Sequence, residues 1–558
     1  MPTRRRRLLD RLSRISSSPQ LTTPSALGSP LSPALTPHHA SSTLTLATPP
    51  PHPAQTVQIP YGTDGESLHI TIPLPPRPRR DLWTPLPPEL KLHILSHLST
   101  PDLLRTAPTS RDFASLTRDG QLWSTLDTTH YYTRIPASQL AALITSSAPF
   151  LRHLNLRGCL QLAADWRQDA TYSAPRNLRS VILEGAQPSK AALGAIVHRN
   201  AALVRLDVSG CRALTFSVAR LIATSLPALE AADVSWCAGL EARGLKRIVE
   251  GCGRLRELRA CGVNGVEDAT VMSAIHSANR ITRLDMNSCA GLTDDAIRTL
   301  CLGPYHHSSS GAAPPPPRRL TWLAVSSCPR ITDAALHVLA AHAPHLEGFE
   351  AAADVGVTDA GLAALFGGAR GLSHVDVEGC VAVSDAAVTA LARHGKVVYL
   401  NVGSCADVGD GGVVEVLRRC AGVRCVEADG TAVTDRVLDE AVRAVRYRGV
   451  AEVALAVYDC PGVTWEGVRA VMGQNSGGVG GRVKVKCYFG WQAVVDTHWE
   501  RCGRGEMGDA EKVERAWAAF MGGEEGGRRR RRRGGAWMWE GGAGAGVDRR
   551  GRGRCVVC

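Results

Sequence analysis

All 17 cysteines of this 558-residue sequence lie at or after Cys159, and their spacing is regular enough to suggest chemistry. Eight of them, Cys159, Cys211, Cys237, Cys289, Cys328, Cys380, Cys405 and Cys460, share one register. Thiols in register invite a metal, a disulfide or a buried-ladder reading. Structural zinc needs four ligands arriving as close pairs, and one thiol per repeat does not supply them. A free cysteine otherwise behaves as a small buried hydrophobe, and the ladder is the reading adopted. Thr293-Asp294, Thr332-Asp333, Thr358-Asp359, Ser384-Asp385 and Thr434-Asp435 also recur at one register. They have the outline of catalytic hydroxyl–carboxylate pairs. One pair per repeat is instead expected of helix starts, where the hydroxyl caps amides and the acid meets the helix dipole. Cys487, His498 and Cys502 offer only three ligands at no standard spacing, and His306-His307 is too sparse for a site. Cys555-Val-Val-Cys558 has the outline of a C-a-a-X lipidation signal with basic residues upstream, although Cys in the last place is not a usual choice. C-x-x-C is also the outline of half a redox or zinc pair, and an inert tail is the third reading. The sequence contains no G-x-x-x-x-G-K-[ST], H-E-x-x-H or G-x-S-x-G, so no catalytic centre, metal or cofactor is expected.

The cysteines are positioned by a repeat. Leu320–Glu347 reads L-x-x-L-x-V-x-x-C, then I-T-D, then a helix-like run. The form recurs at Leu151, Leu178, Leu203, Leu229, Leu255, Ile281, Leu320, Leu346, Leu372, Val397, Val423 and Glu452, at intervals of 27, 25, 26, 26, 26, 39, 26, 26, 25, 26 and 29. A period in the twenties with this pattern resembles the cysteine-containing leucine-rich repeats. The expected fold is therefore an α/β leucine-rich-repeat solenoid, a horseshoe of about 12 repeats whose stacking buries apolar faces that no single unit can bury. Strands should line the concave face, with the third, fifth, seventh and eighth positions facing out. Asp207, Asp233, Asp285, Glu350, Asp376 and Glu427 occupy the fifth position. With Trp236, Trp322 and Tyr399 they outline a candidate substrate face for a basic, partly apolar segment. The competing reading is a consensus Asp of this repeat class. The 39-residue interval holds a Pro/Gly-rich surface loop at residues 303–319, read either as an idle insertion or as a binding loop.

A second pattern precedes the repeats. Residues 81–126 form three short helical runs. Pro87 and Pro88 suit a first turn, and Leu90, Ile94, Leu95 and Leu98 make one apolar stripe. A unit of this size is marginal alone, so the stripe suggests a partner surface, the alternative being a helical cap of the solenoid. L-P-P-E-L, I-L-x-x-L, D-L-L, S-R-D-F and L-W make the stretch resemble the F-box motif. The resemblance implies docking on a Skp-type adaptor, and through it a cullin, by Leu86, Pro87, Leu90, Ile94, Leu95, Leu98 and Leu103, with Trp123 packing onto the first repeat. Residues 127–150 read as a linking segment, 151–475 as the repeats and 476–520 as a C-terminal cap.

The ends differ in composition. Residues 1–80 hold 15 of 33 prolines and residues 521–558 hold 12 glycines, so both are expected to be disordered. Arg4–Arg7 and Arg528–Arg533 supply ten charges of a net +12, leaving the middle near neutral and no nucleic acid expected as partner. The arginine runs are either nuclear-localisation signals or solvated tails. The first twenty residues also have the look of a mitochondrial presequence. No signal peptide or transmembrane run is seen, and the cysteine usage fits a reducing compartment, so a cytoplasmic or nuclear location is expected. Membrane contact is expected only if Cys555 is prenylated.

An F-box followed by such repeats resembles the F-box/leucine-rich-repeat family, most closely its fungal members. That resemblance implies a non-catalytic substrate-receptor subunit of a Skp–cullin–F-box ubiquitin ligase, its targets unknown, its product proteasomal degradation. The rival readings are a scaffold that binds the adaptor without delivering substrates, a plain repeat module with a degenerate F-box, and a catalytic ligase of the bacterial-effector type. The intact F-box pattern argues against the second, and the short stretch after the repeats against the third.

Overall fold

A strand of the form L-x-x-L-x-V keeps only about three residues paired before the chain turns, so the sheet grows by stacking units. The computed structural model describes residues 54–60, 67–73, 82–163, 174–304, 315–477, 481–487 and 489–526. The chain divides into two units, Met1–Pro85 and Leu86–Cys558.

In the second unit fourteen parallel strands follow one another in chain order, from Thr125–Asp127 to Arg482–Lys486. The register pairs the third residue of each repeat with the third of the next: His153 with Ser180, Arg205 with Ala231, Trp322 with Gly348, Cys425 with Ala454. Arg283 pairs directly with Trp322, so the loop at 303–319 leaves the sheet unbroken. Each helix returns the chain and buries one face, as Asp333–His342 does with Ala335, Leu336 and Leu339. The first, fourth and sixth positions form the core, Leu203, Leu206 and Val208 being buried. Among the described residues no helix is long and apolar enough to cross a membrane.

The sheet exceeds twelve repeats by one strand at each end. Trp123, Leu126 and Thr128 fill the first, fourth and sixth positions of an extra leading unit and are buried. Trp and Thr in place of aliphatics hid it from the pattern. The boundary placed at residue 126 therefore falls inside a strand, and the linking segment 127–150 carries the helix Ala137–Ser147, which buries Leu140 and Ile144. At the other end Arg482–Lys486, within the expected cap, pairs with Glu452–Ala456. In the first unit, where residues 1–80 read as disordered, Ala54–Pro60 and Ser67–Pro73 form an antiparallel hairpin with Val57 opposite Ile70 and Ile59 opposite Leu68. The proline-rich average obscures these short alternating runs. Arg4–Arg7, His306-His307, Arg528–Arg533 and Cys555 lie outside the described residues.

The recurring polar residues prove to be joints between repeats. Seven cysteine thiols donate to the sixth-position carbonyl of the preceding repeat at 3.1–3.5 Å, for example Cys237 to Val208 and Cys380 to Ala351. Burial pushes these thiols up, to about 12 for Cys211, Cys237, Cys328 and Cys380, which suits inert donors. Ala186, Val263, Asp354 and Thr431 take the same buried place in the other four repeats. The helix-start aspartates do more than meet the dipole. Asp333 accepts both the amide (2.9 Å) and the hydroxyl (2.6 Å) of Thr358 in the next repeat, and Asp294 and Asp410 treat Thr332 and Thr434 alike. Each Thr also caps its own helix, as Thr358 does at Ala360. Among the described residues no three His, Cys, Asp or Glu side chains gather as a metal-holding group. His498 and Cys502 do meet, one helical turn apart at 3.8 Å, in the buried face of the helix Phe489–Gly503 that follows the last strand.

Candidate functional site

Two surfaces carry the residues singled out by sequence. The first is built on three short helices, α1 (Pro88–Leu95), α2 (Thr100–Thr106) and α3 (Arg111–Leu116). Pro87 precedes α1 and its carbonyl receives the amides of Leu90 and Lys91, both at 3.1 Å. Ser99 and Ser110 cap α2 and α3 through the amides of Asp102 and Phe113. Lys91 of α1 reaches Asp112 of α3 at 3.3 Å. The seven expected docking residues divide. Leu95 and Leu103 are buried and hold the helices together, so their side chains are not a surface. Leu90, Ile94 and Leu98, at i, i+4 and i+8, are 50%, 45% and 37% exposed. Pro87 is exposed and Leu86 half-buried beside them. A helix and its closing turn that together show water three large aliphatics in one line have an uncovered face. Trp123 anchors this unit to the solenoid: it is buried, and its indole N–H donates to the Thr117 carbonyl at 2.8 Å.

The second surface is the strand face opposite the helices. Its third-position row runs Arg283, Trp322, Gly348, His374, Tyr399 across five consecutive strands. The Arg283 guanidinium lies 4.1 Å from the Trp322 ring centre. Trp322 lies 5.4 Å from His374, which stacks towards Tyr399 at 6.3 Å. Gly348 makes this possible, since a Cβ there would sit 2.2 Å from the indole. The Trp322 N–H donates to Glu350 at 2.9 Å.

The fifth-position row runs Asp207, Asp233, Arg259, Asp285, Ala324, Glu350, Asp376, Asn401, Glu427, so Arg259, Ala324 and Asn401 interrupt the acids. The aspartates of this row serve the backbone. Each accepts the amide two residues on, as Asp207 does from Ser209 at 3.0 Å and Asp376 from Glu378 at 3.1 Å. That turn is followed at the eighth position by left-handed backbone in all twelve repeats, with φ from +54° to +72°. Glu350 and Glu427, one carbon longer, do not form the turn and remain part of the face. Burial, with neighbouring acids adding to it, pushes Asp233 up to about 6 and Asp376 up to about 7. Glu350 and Glu427 are raised for the same first cause. Burial and the Arg283 charge hold His374 below its ordinary value.

Trp322, Glu350, Asp376 and Tyr399 are thus brought together. Trp236 is not. It stands at an eighth position three strands from Trp322, roughly 14 Å along the sheet. Its indole is 55% exposed and lies over Gly262, where a Cβ would meet the ring at 2.4 Å. Sequence reasoning also missed a cluster of basic residues on the strand rim, because these residues precede the first leucine of each repeat and fall outside the motif.

Comparison with known proteins gives two findings. The model of the F-box-like family matches residues 83–129. The crystal structure of the Rad7 and Elc1 complex in yeast is similar at a TM-score of 0.36 and 13% identity, covering 66% of this chain and 96% of that one.

Proposed function

We propose that this F-box/leucine-rich-repeat protein is a substrate-receptor subunit of a ubiquitin ligase. The F-box-like segment docks on a Skp-type adaptor, which joins it to a cullin, and the strand face of the repeats holds the target protein. The observation that carries the reading is the uncovered Leu90–Ile94–Leu98 line along α1 and the turn that follows it, within the matched segment. Covering these half-exposed side chains is worth about 1 kcal/mol each, since complete burial of one is worth about 1.5–3 kcal/mol. The chain's contribution is proximity: it raises the effective concentration of target lysines near the charged ubiquitin carrier. Bond chemistry belongs to other subunits, and the action takes place in the cytoplasm or nucleus.

Hydrogen exchange of the full chain with and without a recombinant Skp-type adaptor tests the docking geometry. Amides of residues 88–98 gain protection while those of the strand face do not. Protection appearing on the strand face instead, with α1 unchanged, rejects it.

A further inference from the structure

One repeat departs from the buried register that joins its neighbours. Where eight repeats place a cysteine, the repeat that starts at Leu346 places Asp354, fully buried. Its Oδ1 accepts the Cys328 amide at 2.6 Å, and its Oδ2 is buried with no partner among the described residues. An ionised carboxyl at such a place cannot donate as a thiol does, and its charge is costly to keep from water. The groups around it do not compensate. Cys328 and Cys380, in the repeats on either side, are buried thiols pushed up to about 12. Asp333 holds Thr358, Asp359 holds Ser384, and Glu378 accepts from Asn401. Arg330, on the adjoining turn, is exposed, and only burial and the Cys328 amide act on the carboxyl. Water is nevertheless close in sequence. Val355 is 61% exposed, and Ala353 stands in left-handed backbone at φ +62°, which residues with a side chain rarely adopt. The turn runs between the strand Gly348–Glu350 and the helix Asp359–Gly368 and belongs to neither.

We propose that Ala353–Val357 is a proton-gated latch on the seam between the repeats that start at Leu320 and Leu346, shut while Asp354 holds a proton and swung out to water when the carboxyl ionises. Swinging out breaks few bonds. The Cys328 amide loses Asp354, the Ala353 amide leaves the Glu378 carbonyl (2.6 Å), and the Thr332–Gly356 bridge parts. The strand and helix on either side stay in place. The direction with pH follows from burial, which raises the shut carboxyl from 3.8 to about 8, whereas in the open turn it meets water and returns towards its ordinary value. Between those values opening releases a proton, so each unit of pH favours the open turn up to tenfold, and the gain stops above about 8. Opening uncovers the two thiols that flank the seam. Cys328 lies beneath the Asp354 carboxyl, and the Cys380 thiol donates to the Ala351 carbonyl at 3.1 Å. The latch also leaves directly from the strand whose Glu350 holds the Trp322 indole, so the same proton steadies one end of the aromatic row. The latch does not depend on the receptor role.

The test is pulsed labelling of the full chain with N-ethylmaleimide, read thiol by thiol by mass spectrometry, in the wild type and in Asp354→Asn, which keeps the shape and cannot ionise. Both are compared at the same pH, so the reagent's own pH dependence cancels. The ratio of wild-type to variant labelling at Cys328 and Cys380 rises at least tenfold between pH 5.5 and pH 7.5. The ratio at Cys237, in a seam closed by cysteines on both sides, stays within twofold. Should Asp354→Asn fail to fold, Asp354→Cys takes its place with the same readout at Cys328 and Cys380. A ratio at Cys328 and Cys380 that does not change with pH overturns the proposal. So does a rise shared equally by Cys237, which is opening of the whole solenoid and not of the latch.

Discussion

Asp354 stands where eight repeats carry a buried cysteine, and it makes the stability of the solenoid pH-dependent in a way one substitution can expose. The side chain is fully buried. One oxygen accepts the Cys328 amide at 2.6 Å, and the other has no partner among the described residues. Burial, only partly offset by that amide, pushes the carboxyl from 3.8 up to about 8. Between those values the folded chain keeps a proton that the unfolded chain has released, so stability falls as pH rises through this window and levels off above it. At about 1.4 kcal/mol per unit the whole window is worth on the order of 5 kcal/mol, and the span from pH 5 to pH 8 roughly 4 kcal/mol. Asp354→Cys restores the residue of the other repeats, whose thiols stay neutral throughout that range. Urea denaturation of wild type and variant is compared at pH 5, 6, 7 and 8. Asp233 and Asp376 titrate in the same window but are common to both proteins, so the difference isolates Asp354. The variant gains on wild type steadily as pH rises. A gap that stays constant across the four pH values refutes the reasoning.

Other outcomes follow from the repeat geometry. Trp236→Gly relieves a bulky residue of left-handed backbone, which costs about 1–2 kcal/mol in an L-residue, so urea stability holds or rises despite the loss of an aromatic. Gly262→Ala, at φ +60° and beneath that indole, lowers the urea midpoint, while the paired Trp236→Gly background removes the collision and recovers part of it. Thr358→Val deletes the hydroxyl bonds to Asp333 and Ala360 and costs about 1–2 kcal/mol. Thr215→Val, at a helix start without such a cap, costs under about 0.5 kcal/mol in the same denaturation assay.

The repeats were legible because period and apolar pattern are local properties: every repeat start read from sequence lies in the register of the sheet. What escaped was set by relations between units. The Thr–Asp pairs look like simple helix caps until the next repeat is stacked beside them and Asp333 is seen holding Thr358. Leu95 and Leu103 match the F-box pattern as well as Leu90 and Ile94 do, but a three-helix unit needs a core, and only packing decides which leucines supply it. The acids of the fifth position were equally ambiguous. Asp207 and Asp376 prove to be turn formers, whereas Glu350 and Glu427 are left to the surface. Trp236 was grouped with Trp322 by residue type, and sheet order separates them. The basic rim residues Arg319, His345, Arg370 and Lys396 stand about 25 positions apart with no motif to announce them.

The most direct test of the central claim is a binding titration of the full chain with a recombinant Skp-type adaptor, run beside Ile94→Asp. Ile94 is half-exposed and outside the core of α1–α3, so the variant keeps the wild-type melting curve. A charge buried without a partner at the docked interface costs about 3–5 kcal/mol, which is a loss of at least about 100-fold in affinity. The account predicts saturable binding by the wild type and that loss in the variant. Absence of binding by the wild type, or equal affinity of the two, contradicts it.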